Sequence, residues 1–139
     1  RREVGDYLEE LRATDGVTIL VTTHIMEEAE RCDRLALLDR GHLVALDKPG
    51  TLKDRVGGDV VNVTAKSPAT FCEQVKAKFN VEAKVMDRYV HIERPRGHEF
   101  IPQLVEAFPG EIESVSVGKP TLEDVFIHLT GHRLEDEQP

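Results

Sequence analysis

The stretch Thr18-Ile19-Leu20-Val21-Thr22-Thr23-His24-Ile25-Met26-Glu27-Glu28-Ala29-Glu30 decides how the first part of the chain is expected to fold. An apolar run, two threonines, a histidine and an acidic helix start follow one another. A continuous apolar run without polar alternation is typical of a strand covered on both faces, so residues 17–22 predict a buried strand. His24 then lies at the carboxyl end of that strand, the edge at which open α/β sheets bind ligands.

Four further elements of this first part are predicted from hydrophobic spacing and turn residues. They are a helix over residues 2–13, a helix over residues 25–31 capped by Thr23, a hairpin of strands 35–38 and 43–46, and a short helix over residues 51–56. The pair Gly57-Gly58 then ends the last helix and is the predicted domain boundary. We therefore expect a first domain of residues 1–57.

The second part of the chain predicts the element order β-α-β-β-α-β, which is the split unit of ferredoxin-like folds. Its strands are predicted over residues 59–65, 81–86, 88–93 and 112–117, and its helices over residues 67–79 and 100–108. A closing helix follows, with Thr121 as N-cap, Asp124 at the third position and Gly131 at its end. We expect an α+β protein whose second domain covers residues 58–131, followed by a disordered tail over residues 132–139.

Composition narrows the class of function. The net charge of -8 argues against a nucleic-acid partner, because such proteins present a basic face. No apolar stretch approaches the roughly 20 residues that span a bilayer. Cys32 and Cys72 form no CxxC pair, which indicates reduced thiols in a cytosolic protein.

The histidines predict no metal site. His128 and His132 are four residues apart, a spacing that zinc ligands use on a helix. Gly131 breaks the helix between them, however, and no third ligand is evident. His42, His91 and His98 are isolated in the sequence.

Two motifs resemble a known family. Residues 17–54, VTILVTTHIMEEAERCDRLALLDRGHLVALDKPGTLKD, are similar to the C-terminal part of an ABC-transporter ATPase subunit, where a strand ends in a switch histidine called the H-loop. Residues 120–131, PTLEDVFIHLTG, resemble the closing helix of the ABC-2 type exporter ATPases, the branch that includes daunorubicin and multidrug resistance subunits. Members of that branch carry a small accessory domain after the nucleotide-binding domain.

The resemblance implies a fold and a function. The fold is the C-terminal remnant of a P-loop NTPase nucleotide-binding domain, α/β-derived, followed by a ferredoxin-like accessory domain. His24 is implied as the catalytic switch histidine that contacts the γ-phosphate of ATP. ATP and Mg2+ are the implied cofactors of the full-length subunit, and a membrane-spanning permease and a second ATPase subunit are its implied partners. The implied activity is ATP-driven efflux of a drug-like or lipid-like substrate, on the cytoplasmic face of the cell membrane.

Three parts of a working ATPase do not occur in this sequence. It has no G-x-x-x-x-G-K-[ST] phosphate loop, no LSGGQ-like signature and no apolar strand that ends in Asp-Glu. We therefore expect a piece of a longer subunit that binds no cofactor and is inactive alone. The strand over residues 17–22 also lacks flanking strands, so we expect the first domain to be partly disordered, rearranged, or completed by another chain.

Two alternatives remain. In the first alternative, the domain over residues 58–131 is a stand-alone regulatory or dimerisation module of ferredoxin-like fold. In the second, the chain is a generic α+β protein without ATP chemistry. A phosphate-loop lysine and a signature motif within roughly 200 upstream residues, the size of an ordinary domain, would favour the ATPase over both.

Overall fold

The computed structural model describes residues 2–134, which form six helices and six strands. The first five elements are α1 (Arg2–Asp15), α2 (Met26–Glu30), β1 (Leu35–Asp39), β2 (His42–Asp47) and α3 (Pro49–Lys53). The remaining seven are β3 (Asp59–Ala65), α4 (Pro68–Phe79), β4 (Glu82–Met86), β5 (Tyr89–Arg94), α5 (Gly97–Ala107), β6 (Ile112–Gly118) and α6 (Leu122–Thr130). The predicted mixture of helices and sheets is confirmed, and so is the predicted order of elements over the second part.

The second part folds around a four-stranded sheet in the order β4-β5-β3-β6, in which every neighbouring pair is antiparallel. Alternate residues of a strand point to opposite faces, so each strand supplies one apolar row and one more polar row. Helices α4 and α5 pack on the apolar rows. The first core consists of Val61, Val63, Ala65, Phe71, Cys72, Val75, Ala83, Val90, Ile92, Phe100 and Leu104.

Helix α5 begins at Gly97, three residues before the first apolar residue of its predicted span, and a side chain at this position would have no room. A β-carbon at Gly97 would lie 2.7 Å from Val117 Cγ2 and 2.9 Å from Val61 Cγ2. The Gly97 amide donates to Asp59 Oδ2 at 2.9 Å, and Lys119 Nζ donates to Asp59 Oδ1 at 3.0 Å. These two hydrogen bonds hold the pKa of Asp59 below its usual value, and the bond from Lys119 has the larger effect.

A second core joins the first part of the chain to α6. It contains Ala29, Leu35, Ala45, Leu52, Val56, Val60, Leu122 and Val125. Strands β1 and β2 form the predicted antiparallel hairpin, and Leu35 and Ala45 are its buried side chains. Because Leu122 and Val125 belong to α6, the hairpin and α3 are buried against the last helix of the described chain.

The predicted strand over residues 17–22 is wrong. Residues 16–25 form no helix or strand, and the Leu20 side chain is 95% exposed. A strand needs hydrogen-bonding neighbours and covered faces, and the described residues supply neither at this point. The predicted cap of the following helix also differs, because Ile25 is the N-cap residue and Thr23 Oγ1 accepts a hydrogen bond from the Ile25 amide at 2.9 Å.

The closing helix agrees closely with its prediction. Thr121 Oγ1 accepts from the Asp124 amide at 3.2 Å, and Asp124 Oδ2 accepts from the Thr121 amide at 2.8 Å, which makes a reciprocal capping box. Gly131 ends α6 in the left-handed conformation at φ 85°. Of the tail that was predicted to be disordered, residues 132–134 are described and residues 135–139 lie outside the described residues.

Candidate functional site

His24 lies in the irregular segment that replaces the predicted strand. Its side chain is exposed, and within residues 2–134 it makes no hydrogen bond or ion pair. Val21 and Thr22 before it are exposed as well, so no sheet edge forms behind the imidazole. In the described part of the chain, the predicted catalytic histidine therefore lies on an exposed surface loop.

Ion pairs attach α1 next to this loop. Arg31 Nη2 lies 2.7 Å from Asp6 Oδ1, and Arg12 Nη1 lies 3.2 Å from Asp33 Oδ2. All four side chains are more than a third exposed, so water and salt screen these pairs and they stabilise the helix only weakly. The apolar face predicted for α1 stays largely open, since Val4 and Tyr7 are exposed.

A buried polar cluster holds α6 on the sheet, and sequence reasoning missed it. Glu93 on β5 accepts from His91 Nε2 at 2.9 Å and from His128 Nδ1 of α6 at 2.7 Å. The Glu93 side chain is only 7% exposed. Burial alone would raise the pKa of this carboxyl group, but the bonds from His91 and His128 outweigh burial, so the pKa lies below its usual value.

The rest of this cluster connects α6 to β4 and to the capping box. Lys84 Nζ donates to the carbonyl oxygen of Ile127 at 3.1 Å. The second ring nitrogen of His91, Nδ1, lies 3.8 Å from Asp124 Oδ1 and has no hydrogen-bond partner among the described residues. His91 is 1% exposed, so the cluster is a structural anchor enclosed by the sheet and α6 rather than an open reaction site.

One sequence signal pointed weakly to the cluster. His91 and Glu93 are two residues apart on one strand, which puts both on the same face of the sheet. Their partner His128 lies 35 residues beyond Glu93, and only the packing of α6 brings it there. Sequence spacing does not encode that contact.

The side chains of His128 and His132 do not point to a common position at which both could bind a metal ion. His128 bonds to Glu93, whereas His132 Nε2 lies 3.2 Å from Asp39 Oδ1 on the β1–β2 hairpin. The His132 ring also packs edge-on against Phe126, with centroids 5.4 Å apart. In the part of the chain that the structure describes, no three potential ligand side chains come together around a metal position.

A shallow groove lies on the polar face of the four-stranded sheet. Its volume is about 340 Å3, and its lining residues are Asn62, Thr64, Tyr89, Ser114, Val115 and Ser116. Hydroxyl and amide groups dominate this lining, and no lining side chain carries a charge at neutral pH. The groove runs alongside β6, at one border of the sheet.

Among residues 2–134, no helix is both long and apolar enough to cross a membrane.

Comparison with known proteins gives a consistent set of relatives. No family model matches the chain. The daunorubicin resistance ATP-binding protein DrrA2 of Streptomyces coeruleorubidus is 32% identical over 99% of this chain. The linearmycin resistance ATP-binding protein LnrL of Bacillus subtilis is 30% identical over 98% of it, and a Nod factor export ATP-binding protein I of Rhizobium meliloti is 36% identical over 87%. The chain spans 46%, 46% and 36% of the lengths of these three relatives, respectively.

Proposed function

We propose that the chain is the C-terminal portion of the ATP-hydrolysing subunit of an ABC-2 type exporter. The observation that carries the proposal is similarity over nearly the whole chain to ATP-binding proteins named for drug resistance and Nod factor export. In this proposal the complete subunit couples ATP binding and hydrolysis to efflux of a drug-like or lipid-like substrate. Its partners are a membrane permease and a second ATPase subunit, and it works at the cytoplasmic face of the membrane.

His24 is the proposed switch histidine of that subunit. An imidazole N–H donates well to a phosphate oxygen, and phosphoryl transfer depends on such donors to stabilise charge on the γ-phosphate. The exposed, unpaired ring of His24 is available for that contact. Thr23 fixes the backbone directly after it through the bond to the Ile25 amide.

The described residues do not fit ATP and Mg2+ on their own. They contain neither a glycine-rich phosphate loop nor a cluster of acidic side chains that would hold a divalent cation. When bound by the complete subunit, Mg2+ and ATP supply the reacting phosphate and the charge neutralisation around it. This chain's contribution is the donor at His24, and we expect the isolated chain neither to bind nor to hydrolyse ATP.

Residues 58–131 are the proposed accessory domain, of ferredoxin-like arrangement. Support comes from the order β3-α4-β4-β5-α5-β6 and from the antiparallel sheet in which the two middle strands are β5 and β3. Residues 1–57 are the proposed end of the nucleotide-binding domain. The alternative proposal, a stand-alone regulatory or dimerisation module, draws on the same sheet and needs no ATPase.

The decisive test uses the subunit encoded together with its upstream region. We expect His24→Ala to lower the ATPase turnover number roughly a hundredfold, as the loss of one transition-state donor does, while nucleotide binding is retained. His42→Ala is the matched control, because His42 is also exposed but lies in the β1–β2 hairpin. Unchanged turnover in His24→Ala, or ATP hydrolysis by the isolated chain, would contradict the proposal.

A further inference from the structure

The four-stranded sheet has two edges, and they differ. Edge strand β4 is five residues long, carries Glu82 and Lys84, and is tied to α6 through Lys84. Edge strand β6 is seven residues long, and five of its residues are exposed. Charged residues and prolines protect exposed edges against pairing, yet the run Ser114–Gly118 contains neither. The free backbone groups of β6 are therefore open to another strand.

The sequence of β6 is complementary to itself in one antiparallel register. When Ser116 lies opposite Ser116 of a second copy, Val115 lies opposite Val117 and Ser114 lies opposite Gly118. The two serines meet on the polar face, where cross-strand hydroxyl pairs are favourable, and the valines meet on the face of the helices. The regular part of β6, Ser114–Gly118, forms the centre of this register, and the irregularity in its pairing with β3, between residues 112 and 114, lies just outside that centre.

Charges at the two ends support the same register. In this register Glu113 of each copy lies opposite Lys119 of the other copy. A negative side chain therefore faces a positive one at each end of the paired strands. Glu113 is exposed, and the Lys119 side chain is 89% exposed. Val117, 39% exposed in the single chain, is covered by Val115 of the other copy. A register shifted to centre on Val115 would instead place Glu111 opposite Lys119, and it would place the irregular residues 112 and 113 opposite Gly118 and Val117.

We propose that β6 is a self-association edge, through which two copies of this chain join their sheets into one antiparallel eight-stranded sheet centred on Ser116. The occupant is a second copy because polar residues of Ser114–Gly118 face polar or small ones and valines face valines in this register, and because the flanking Glu113 and Lys119 carry opposite charges. A single pair of edge strands buries less area than a standard protein interface, so the dimer is transient, with a dissociation constant in the micromolar range.

The first test is disulfide trapping of the full chain in a Cys32→Ser, Cys72→Ser background. Ser116→Cys puts the two new thiols directly opposite each other, within reach of a disulfide, so we expect a covalent dimer under mild oxidation. Ser114→Cys is the matched control on the same face. Its thiols would be four positions apart along the strands, about 13 Å, so it should form no covalent dimer.

The second test exchanges charges and measures association by sedimentation velocity. Glu113→Lys and Lys119→Glu should each weaken the dimer roughly tenfold, since two attractive pairs become repulsive. An equimolar mixture of the two variants should dimerise again. Glu111→Lys is the control for the shifted register and should leave association unchanged. Lys119 also pairs with Asp59, so the melting temperature of its variant is measured alongside.

A native chain that is monomeric at high micromolar concentration would overturn the proposal. So would trapping of Ser114→Cys as readily as Ser116→Cys, or a dimer that neither charge change weakens. The inference deepens the self-association invoked under the proposed function, but its tests use neither nucleotide nor permease. Its failure would therefore leave the ATPase assignment intact, and failure of the His24 test would leave this one intact.

Discussion

Glu93 links helix α6 to strand β5 through hydrogen bonds. Its carboxylate accepts from His91 on its own strand and from His128 on α6, and all three groups are buried or partly buried. We expect Glu93→Gln to lower the free energy of unfolding by about 1–3 kcal/mol, because two charge-assisted hydrogen bonds are lost or weakened. Urea denaturation measures the change. Glu106→Gln, at an exposed position of α5, is the control and should stay within about 0.5 kcal/mol of the native chain.

The same residue predicts how stability depends on pH. The folded-state pKa of Glu93 lies below its usual value, so the unfolded chain binds the proton more readily. The contribution of Glu93 is therefore complete at neutral pH and is lost as the pH falls from about 4 downwards. Asp59 also has a lowered pKa, and its contribution to stability is likewise lost in acid, so the difference between the native chain and Glu93→Gln isolates Glu93. A pH-independent difference between pH 7 and pH 3 would contradict this assignment.

Single residues also show what sequence can and cannot predict about a site. His24 was identified from a motif, and its proposed role depends on residues outside the described chain. The His91–Glu93–His128 cluster has no motif, because it forms only when α6 crosses β5 at one particular rotation. A contact of that kind depends on helix packing, which the local spacing of residues does not fix.

Among the elements, α6 was the most predictable, because its ends carry specific chemistry. Thr121 and Asp124 satisfy backbone groups at the start of the helix, and Gly131 takes the left-handed conformation at its end. We expect Thr121→Ala to cost about 1 kcal/mol of stability through loss of the cap. Thermal unfolding followed by circular dichroism measures it, with Thr51→Ala in α3 as the control. Equal effects of the two substitutions would argue against the cap as a stabilising contact.

The local sequence pattern correctly predicts some strands of this chain and wrongly predicts another. Strand β3 alternates and hairpin β1–β2 has a turn with glycine, so both were predicted within a residue or two. The run at residues 17–22 has strong β propensity but no partner strand among the described residues. A strand of that type forms only when neighbours cover it, and the apolar pattern alone does not provide them.

For the whole molecule, the irregular segment predicts a contrast in hydrogen exchange. The backbone amides of residues 17–24 should exchange close to the rate of an unstructured peptide, whereas those of Val61 and Val63 in β3 should be strongly protected. The measurement is native-state exchange followed by mass spectrometry. In the longer subunit of the proposed function, neighbouring strands would protect residues 17–22. Strong protection of this segment in the isolated chain would contradict the structure, and lack of protection in the longer subunit would contradict the proposed domain.

The two cores differ in how well the sequence predicted them. The first core follows from the alternation of β3 and β5 and the apolar faces of α4 and α5, so local pattern accounts for it. The second core combines Leu35 and Leu52 with Leu122 and Val125, across the predicted domain boundary. That packing was not anticipated, because the hairpin was expected to belong to a separate domain.

The second core also sets an order for folding during synthesis. A nascent chain that has left the ribosome as far as Gly118 already contains all four strands of the sheet and both helices of the first core. Leu35 and Leu52 cannot pack against Leu122 and Val125 until α6 has emerged, some seventy residues after Leu52 was made. The second core is thus completed only after the sheet that follows the hairpin.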